Sequence, residues 1–264
     1  MRQLLRRIYS LSLTFGFNHR KTIQALKGLL PYYLDLRTLK RQETFAKIKF
    51  AFGKSYLCLE DRLQQSGTIK GHYFHQDLLV ARRIYLDNPG THVDVGSRID
   101  GFVAHVASFR LIEVLDIRPL SNSIPNIRFM QADLMAPVDK NLEDYADSVS
   151  CLHALEHFGL GRYGDPVNYD GYLLGLNNLL LILKKGGKLY LSVPIGPQRI
   201  EFNAQRVFSV SFLLKYFSGK CHIKQFSFVD DQGNLHENVP ITVNEINSNF
   251  NCIFGCGIFE LEKL

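Results

Sequence analysis

Three aspartates stand at intervals along the middle of the chain, each beside a short β-like run. They are Asp94 in THVDVGSRIDGF (91–102), Asp116 in VLDIRPL (114–120) and Asp133 in QADL (131–134). Asp116 lies 20 residues beyond Gly96, the spacing at which an acid ending the second strand of a nucleotide-binding unit meets a ribose. A carboxylate there accepts two hydroxyl protons at once, which suits a vicinal diol. Gly96 would let the backbone turn tightly and approach a ligand with no Cβ in the way. The neighbouring Ser97 and Ile117 belong to the same candidate site, and Asp133 with Leu134 is placed to meet an adenine amino group. Each acid alone has a plain explanation as a turn or cap residue. The series of three points to an adenosine compound.

The glycine pattern narrows the choice. A dinucleotide pyrophosphate needs a second glycine for close backbone contact, but Arg98 and Asp100 stand where further glycines are expected. Asp94 and Asp100 also add negative charge where phosphates would sit. A nucleotide-dependent oxidoreductase is therefore disfavoured. A cationic cofactor without phosphate suits the acids better, and S-adenosylmethionine is such a molecule.

The densest polar constellation is LHALEHFGLGRYGDP (152–166), with His153, Glu156, His157, Arg162, Tyr163 and Asp165. Methyl transfer to a hydroxyl needs in-line geometry and often a base. His157 has a suitable intrinsic pKa. Asp165 would orient it or act itself, and Arg162 would hold an anionic or sugar acceptor through its fork of donors. His153, nearest the preceding strand, is assigned to the cofactor. The plain alternative has Glu156 and His157 opening a helix and Arg162 pairing with Asp165. His153 and His157 are four apart, as in a helical zinc pair, but Glu156 is out of place for the metalloprotease spacing. The five cysteines (Cys58, Cys151, Cys221, Cys252, Cys256) are scattered; Cys252 and Cys256 are four apart and meet Cys221 and His222 only if strands pair there, so small apolar residues in strands are the plainer reading than a zinc site. No metal is expected. In GHYFHQD (71–77), either His72, Tyr73 and His75 fold over the cofactor or Tyr73 and Phe74 pack under the next helix.

The elements that would carry these residues alternate. Helix-like patterns over 77–85, 102–109, 172–183 and 208–217 interleave with strand-like runs over 92–95, 111–117, 127–131, 148–152 and 188–193, the last ended by Pro194. Two further strands are expected over 222–229 and 253–261. This rhythm predicts an α/β, doubly wound, mostly parallel sheet covered on both faces. The cofactor loop then lies where it should, at the carboxyl end of the first strand.

Residues 1–70 form a basic helical extension and 71–264 the α/β domain. Of the chain's net charge of +6, residues 1–41 hold nine basic residues against the single acid Asp35. Two helical segments are expected there, the second interrupted at Pro31. The extension either packs with a solvated basic face or rests on an anionic membrane surface or a partner enzyme. No groove-reading or base-stacking motif points to nucleic acid. An odd set of scattered cysteines argues for free thiols in a reducing compartment, and no apolar run is long enough to span a membrane. The expected place is the cytoplasm, or the inner face of the membrane peripherally.

Residues 77–195 resemble class I S-adenosylmethionine-dependent methyltransferases through VDVG (93–96), VLDIRPL (114–120), QADL (131–134), SVSCLHALEHFG (148–159) and GGKLYLSVP (186–194). The resemblance implies a seven-stranded sheet whose last strand is antiparallel. It implies Asp94 and Gly96 near the methionine end, Asp116 at the ribose, and Asp133 or Leu134 at the adenine. The whole chain, through FGFNHRKTIQALKGLL (15–30), GHYFHQD, VDVGSRIDGF and HFGLGRYGDP (157–166), also resembles domain-of-unknown-function family 268. Bacterial members of that family often accompany surface-polysaccharide synthesis genes. Two functions follow as expectations. One is methyl transfer to an oxygen of a sugar, glycan precursor or other small molecule; no Asn-Pro-Pro-Tyr-like motif follows the fourth strand, which weakens transfer to an amino group. The other is a non-catalytic module that binds or positions surface-glycan enzymes.

Overall fold

The computed structural model describes Arg2–Leu264, with the side chains of residues 2–7 and of Leu63 outside the description. The chain divides into two compact units, Met1–Thr68 and Ile69–Leu264.

The first unit holds α1 (Arg2–Thr14) and α2 (His19–Glu43). Asn18 caps α2, its side chain accepting from the Lys21 N–H at 3.1 Å, as a short polar residue does for an unpaired first-turn donor. Contrary to the sequence expectation, α2 runs through Pro31. The proline removes one backbone donor, and the turns on both sides carry the helix past it.

The second unit begins with α3 (His72–Asp87), so GHYFHQD supplies its first turn rather than a loop. The chain continues through β1 (His92–Val95), a π turn (Ile99–Val103) running into α4 (Ala104–Ala107), β2 (Ile112–Asp116), β3 (Ile127–Gln131) and β4 (Ala146–Leu152). Then come α5 (Gly171–Ile182), β5 (Leu183–Ile195), the hairpin β6 (Arg199–Glu201) and β7 (Gln205–Val207), and α6 (Val210–Phe217). The chain ends with β8 (Cys221–Val229), β9 (Leu235–His236), α7 (Val243–Ser248) and β10 (Gly255–Lys263).

The main sheet has the order β3-β2-β1-β4-β5-β10-β8-β9. β3, β2, β1, β4 and β5 run parallel, and β10 enters antiparallel between β5 and β8. Seven strands were expected; the eighth is the two-residue β9, added antiparallel at the β8 edge. β5 continues past Pro194 to Ile195, and the Pro194 carbonyl accepts from the Phe208 N–H at 2.9 Å. The helix expected over 102–109 is instead a π turn and a single α turn, because Gly101 takes a non-helical φ of −123° and ψ of −114°.

All four residues of β1 are buried, as a central parallel strand covered on both faces requires. One face packs Val80 and Ile84 of α3 and Val106 of α4 against Ile112, Val114 and Ile258. The other packs Leu176 and Leu179 of α5 and Leu213 and Phe217 of α6 against Val93, Val149 and Leu191. Strand order reverses between β1 and β4. Their carboxyl ends therefore diverge and open a crevice there.

Candidate functional site

At the end of β1 the chain turns at Gly96 with φ +76°. A Cβ there would lie 2.7 Å from the Ala154 Cβ, so only glycine permits both this turn and the approach of the β4 loop. The turn is tied from behind. Asp94 accepts from the Ser97 N–H at 3.1 Å, the Ser97 hydroxyl at 2.8 Å and the Ser150 hydroxyl at 2.6 Å. Complete burial pushes the Asp94 carboxyl up to about 7, against the lowering effect of these bonds.

In front of the turn lies a cavity of about 310 Å³. Gly96, Asp116, Ile117, Asp133, Leu134 and His153 line it, and so do His157, Arg162 and Asp165. Asp94 and Ser97 do not. That corrects the direct contact with this cavity expected of them: Asp94 is spent on Ser97 and Ser150 behind the turn, and Ser97 borders a neighbouring cavity beside Tyr73, Gln76 and Arg98.

Asp116 ends β2 with its carboxylate already engaged. Oδ1 accepts from the Arg118 backbone N–H at 2.8 Å and from Arg118 Nε at 2.9 Å, while Oδ2 pairs with Arg118 Nη2. The same guanidinium donates to the Gly96 carbonyl at 3.2 Å and lies over the Tyr163 ring at 4.9 Å. Sequence reasoning missed Arg118, although it stands in the quoted VLDIRPL. A basic residue two beyond a strand-end acid was the available signal. Asp133 accepts from the Met135 N–H at 2.8 Å through Oδ1, leaving its second oxygen for a ligand.

The two acids expected to repel phosphate, Asp94 and Asp100, are both otherwise engaged. Asp94 is buried away from the cavity, and the rise of its pKa to about 7 removes much of its charge near neutral pH. Asp100 is bound to Arg98 at 2.7 and 2.9 Å, and both side chains are about two-thirds exposed. That partner holds the Asp100 carboxyl below its usual range. Neither acid offers a free negative charge to the cavity. Arg98 stands at the rim, turned to Asp100.

The loop after β4 is braced by bonds that no spacing rule reveals. Asp165 accepts from the backbone N–H groups of Gly159 at 2.8 Å, Gly161 at 3.1 Å and Tyr163 at 3.1 Å. Its carboxylate is used up on the loop, so it neither orients His157 nor pairs with Arg162. Gly159, at φ +76°, passes so close to Asn168 that a Cβ would meet that carbonyl oxygen at 2.0 Å. Buried Arg206 donates to the carbonyls of Phe158 at 2.5 Å and Tyr169 at 2.9 Å, tying both ends of the loop to β7.

Leu155–His157 forms a single 3₁₀ turn. His157 Nδ1 donates to the Ala204 carbonyl at 2.7 Å. The proton therefore sits on Nδ1, and Nε2, 3.8 Å from Glu156, keeps its lone pair. Burial pushes the His157 pKa down, with Glu156 opposing, so the ring is neutral at pH 7 and able to accept a proton. Arg162 donates to the same Ala204 carbonyl at 2.9 Å and lies over Tyr163 at 5.2 Å. His153, at φ +50°, donates from Nδ1 to Glu156 at 2.6 Å. Tyr73 of α3 also lines the cavity. His153 and His157 thus spend their Nδ1 atoms on different partners, unlike a helical metal-binding pair.

This sheet order, with its antiparallel strand between β5 and β8, is the fold of the class I methyltransferases. The 1,6-didemethyltoxoflavin-N1-methyltransferase of Burkholderia thailandensis, solved with bound 1,6-didemethyltoxoflavin and S-adenosylhomocysteine, superposes with a TM-score of 0.50 at 13% identity, over 74% of this chain and 79% of that one. The N-methyltransferase NodS of Bradyrhizobium japonicum, solved with S-adenosylhomocysteine, gives 0.47 at 10% identity, over 72% and 87%. Among curated proteins no sequence matches. Within that fold class the chain belongs to the family described as "Caenorhabditis protein of unknown function, DUF268", which matches residues 112–253, more than half of its length.

Proposed function

We propose that the cavity binds S-adenosylmethionine and serves methyl transfer to an oxygen of a sugar, a glycan precursor or another small molecule. The observation that carries this reading is the meeting of Gly96, Asp116, Asp133 and His157 on one cavity at the point where strand order reverses. When bound, the cofactor supplies an electrophilic methyl group on a sulfonium. Gly96 brings bare backbone to it. Asp116 accepts the two ribose hydroxyls once the Arg118 side chain turns away. Ile117 and Leu134 flank the base, and the free oxygen of Asp133 takes its amino group. His157 Nε2 accepts the proton of the acceptor hydroxyl, in the tautomer fixed by the Ala204 carbonyl, and Arg162 and Tyr163 hold the acceptor at the rim.

Displacing Arg118 is affordable in energy. A hydrogen bond to a charged group contributes roughly 1.5–3 kcal/mol, less where solvent screens it, and the Arg118 side chain is 39% exposed. Two hydroxyl bonds to the carboxylate offset such a loss. Crystals of the full chain soaked with S-adenosylhomocysteine test the reading. It requires the ribose on Asp116 with Arg118 displaced, and an Arg118 that stays in place with no nucleoside in the cavity refutes it.

That internal Asp116–Arg118 pairing favours the second reading, a module without turnover. In this reading the chain binds or positions enzymes of surface-glycan synthesis through its first unit. There α2 exposes Ile23, Leu26, Leu30 and Tyr33 together with basic residues. Such a face suits an anionic membrane surface or an acidic partner, in keeping with a chain of the cytoplasm or of the inner face of the membrane.

A further inference from the structure

Three side chains from three separate elements meet beside the cavity: His72 in the first turn of α3, His153 just past β4, and Cys256 in β10. Their ligand atoms lie within 4.8 Å of one another. His153 is held for one purpose. Its Nδ1–H donates to Glu156 at 2.6 Å, which leaves Nε2 as the nitrogen open to a ligand. That Nε2 is buried and has no hydrogen-bond partner among the described residues, in a side chain only 5% exposed. An unpaired buried nitrogen is costly unless a partner or a ligand satisfies it. The His72 ring centre lies 5.0 Å from that of His153, stacked, and 5.4 Å from that of Phe254. Cys256 is fully buried, and its thiol makes only long contacts, to Gln76 Oε1 at 3.8 Å and to the Gly257 carbonyl at 4.0 Å. The Gln76 oxygen already accepts from the Ser192 hydroxyl at 2.6 Å.

We propose that His72, His153 and Cys256 form a binding site for a divalent transition metal, with zinc the ion their ligand types suit. Imidazole nitrogen with thiolate sulfur is a zinc donor set. Glu156 holds the far nitrogen of His153 as carboxylates do behind metal-bound histidines, fixing tautomer and ring orientation. Tetrahedral bonds of about 2.0–2.3 Å place ligand atoms roughly 3.5 Å apart, so the three side chains draw in by about 1 Å through rotation. The Cys256 thiol loses its proton to solvent as the metal–sulfur bond forms. Three protein ligands leave a fourth position for water or for a molecule in the cavity that His153 borders. The site does not depend on whether the cavity takes an adenosine compound. No spacing in the chain announces it, since each ligand comes from a different element.

The test uses the full chain purified without chelator and dialysed, with metal content measured by mass spectrometry and cobalt(II) titrated into chelator-stripped protein. The expected result is one equivalent of zinc per chain and a cobalt spectrum with a thiolate charge-transfer band. Cys256→Ser and His72→Ala should each lose retention on dialysis. Glu156→Gln should weaken affinity about 10–100-fold, and Cys252→Ser should retain the metal. A folded wild-type chain that takes up neither zinc nor cobalt overturns the proposal. So does cobalt binding without the charge-transfer band, which removes Cys256 from the site.

Discussion

At the scale of single residues, the account assigns opposite duties to two titrating groups. In the proposed reaction His157 serves as a base, since burial keeps it neutral and Ala204 holds its tautomer. His157→Ala should leave S-adenosylmethionine affinity within about twofold while lowering turnover roughly 10²–10⁴-fold, the usual worth of a positioned base. Unchanged turnover in a steady-state assay removes it from the reaction. Asp94 is structural, and its pH effect has a definite sign. Its folded pKa of about 7 lies above the ordinary 3.8. Between those values the folded chain holds a proton that the unfolded chain has lost. The stability contributed by this group is complete below about pH 4 and fades as pH rises through 7. Asp94→Asn should flatten that part of the curve, and parallel melting-temperature curves from pH 4 to 8 for the two proteins contradict the assignment. The sequence made Gly96 and Asp116 legible because their spacing follows from two adjacent strands. It did not show that Asp94 turns to Ser150, which reaches it from a strand 56 residues away. Nor could it show that Arg118 covers Asp116, because that depends on a side-chain direction.

At the scale of elements, the loop after β4 is the part most at risk. Three backbone N–H groups converge on Asp165. Asp165→Ala strands buried donors, each costing about 1–3 kcal/mol. The expected outcome is a lower melting temperature and faster hydrogen exchange over 157–166, with exchange in β1 and β2 unchanged; protection retained in the loop argues against the brace. The alternation of strands and helices was readable because apolar runs differ in period between the two. Three features were not. The first turn of α3 carries His72, Tyr73 and His75 instead of an apolar stripe. The turn after β1 departs from the α form because Gly101 leaves the helical region. β9 is only two residues long, so it has no periodicity to read.

At the scale of the whole molecule, the basic first unit should act through charge. Each Lys or Arg near an anionic surface contributes about 1 kcal/mol. Reversal of Arg37, Lys40 and Arg41 to Glu in the full chain should therefore lower binding to phosphatidylserine–phosphatidylcholine vesicles at least 100-fold, and added salt should weaken the wild type as well. Equal sedimentation of both proteins with vesicles refutes a lipid role for this face. Among the described residues no helix is long and apolar enough to cross a membrane. The claim on which the functional account stands is that Asp116 receives a ribose. Isothermal titration of the full chain with S-adenosylmethionine tests it most directly. The account predicts micromolar binding by the wild type and at least tenfold weaker binding by Asp116→Ala. A folded wild type that evolves no heat of binding, or an Asp116→Ala protein that binds as tightly, contradicts it.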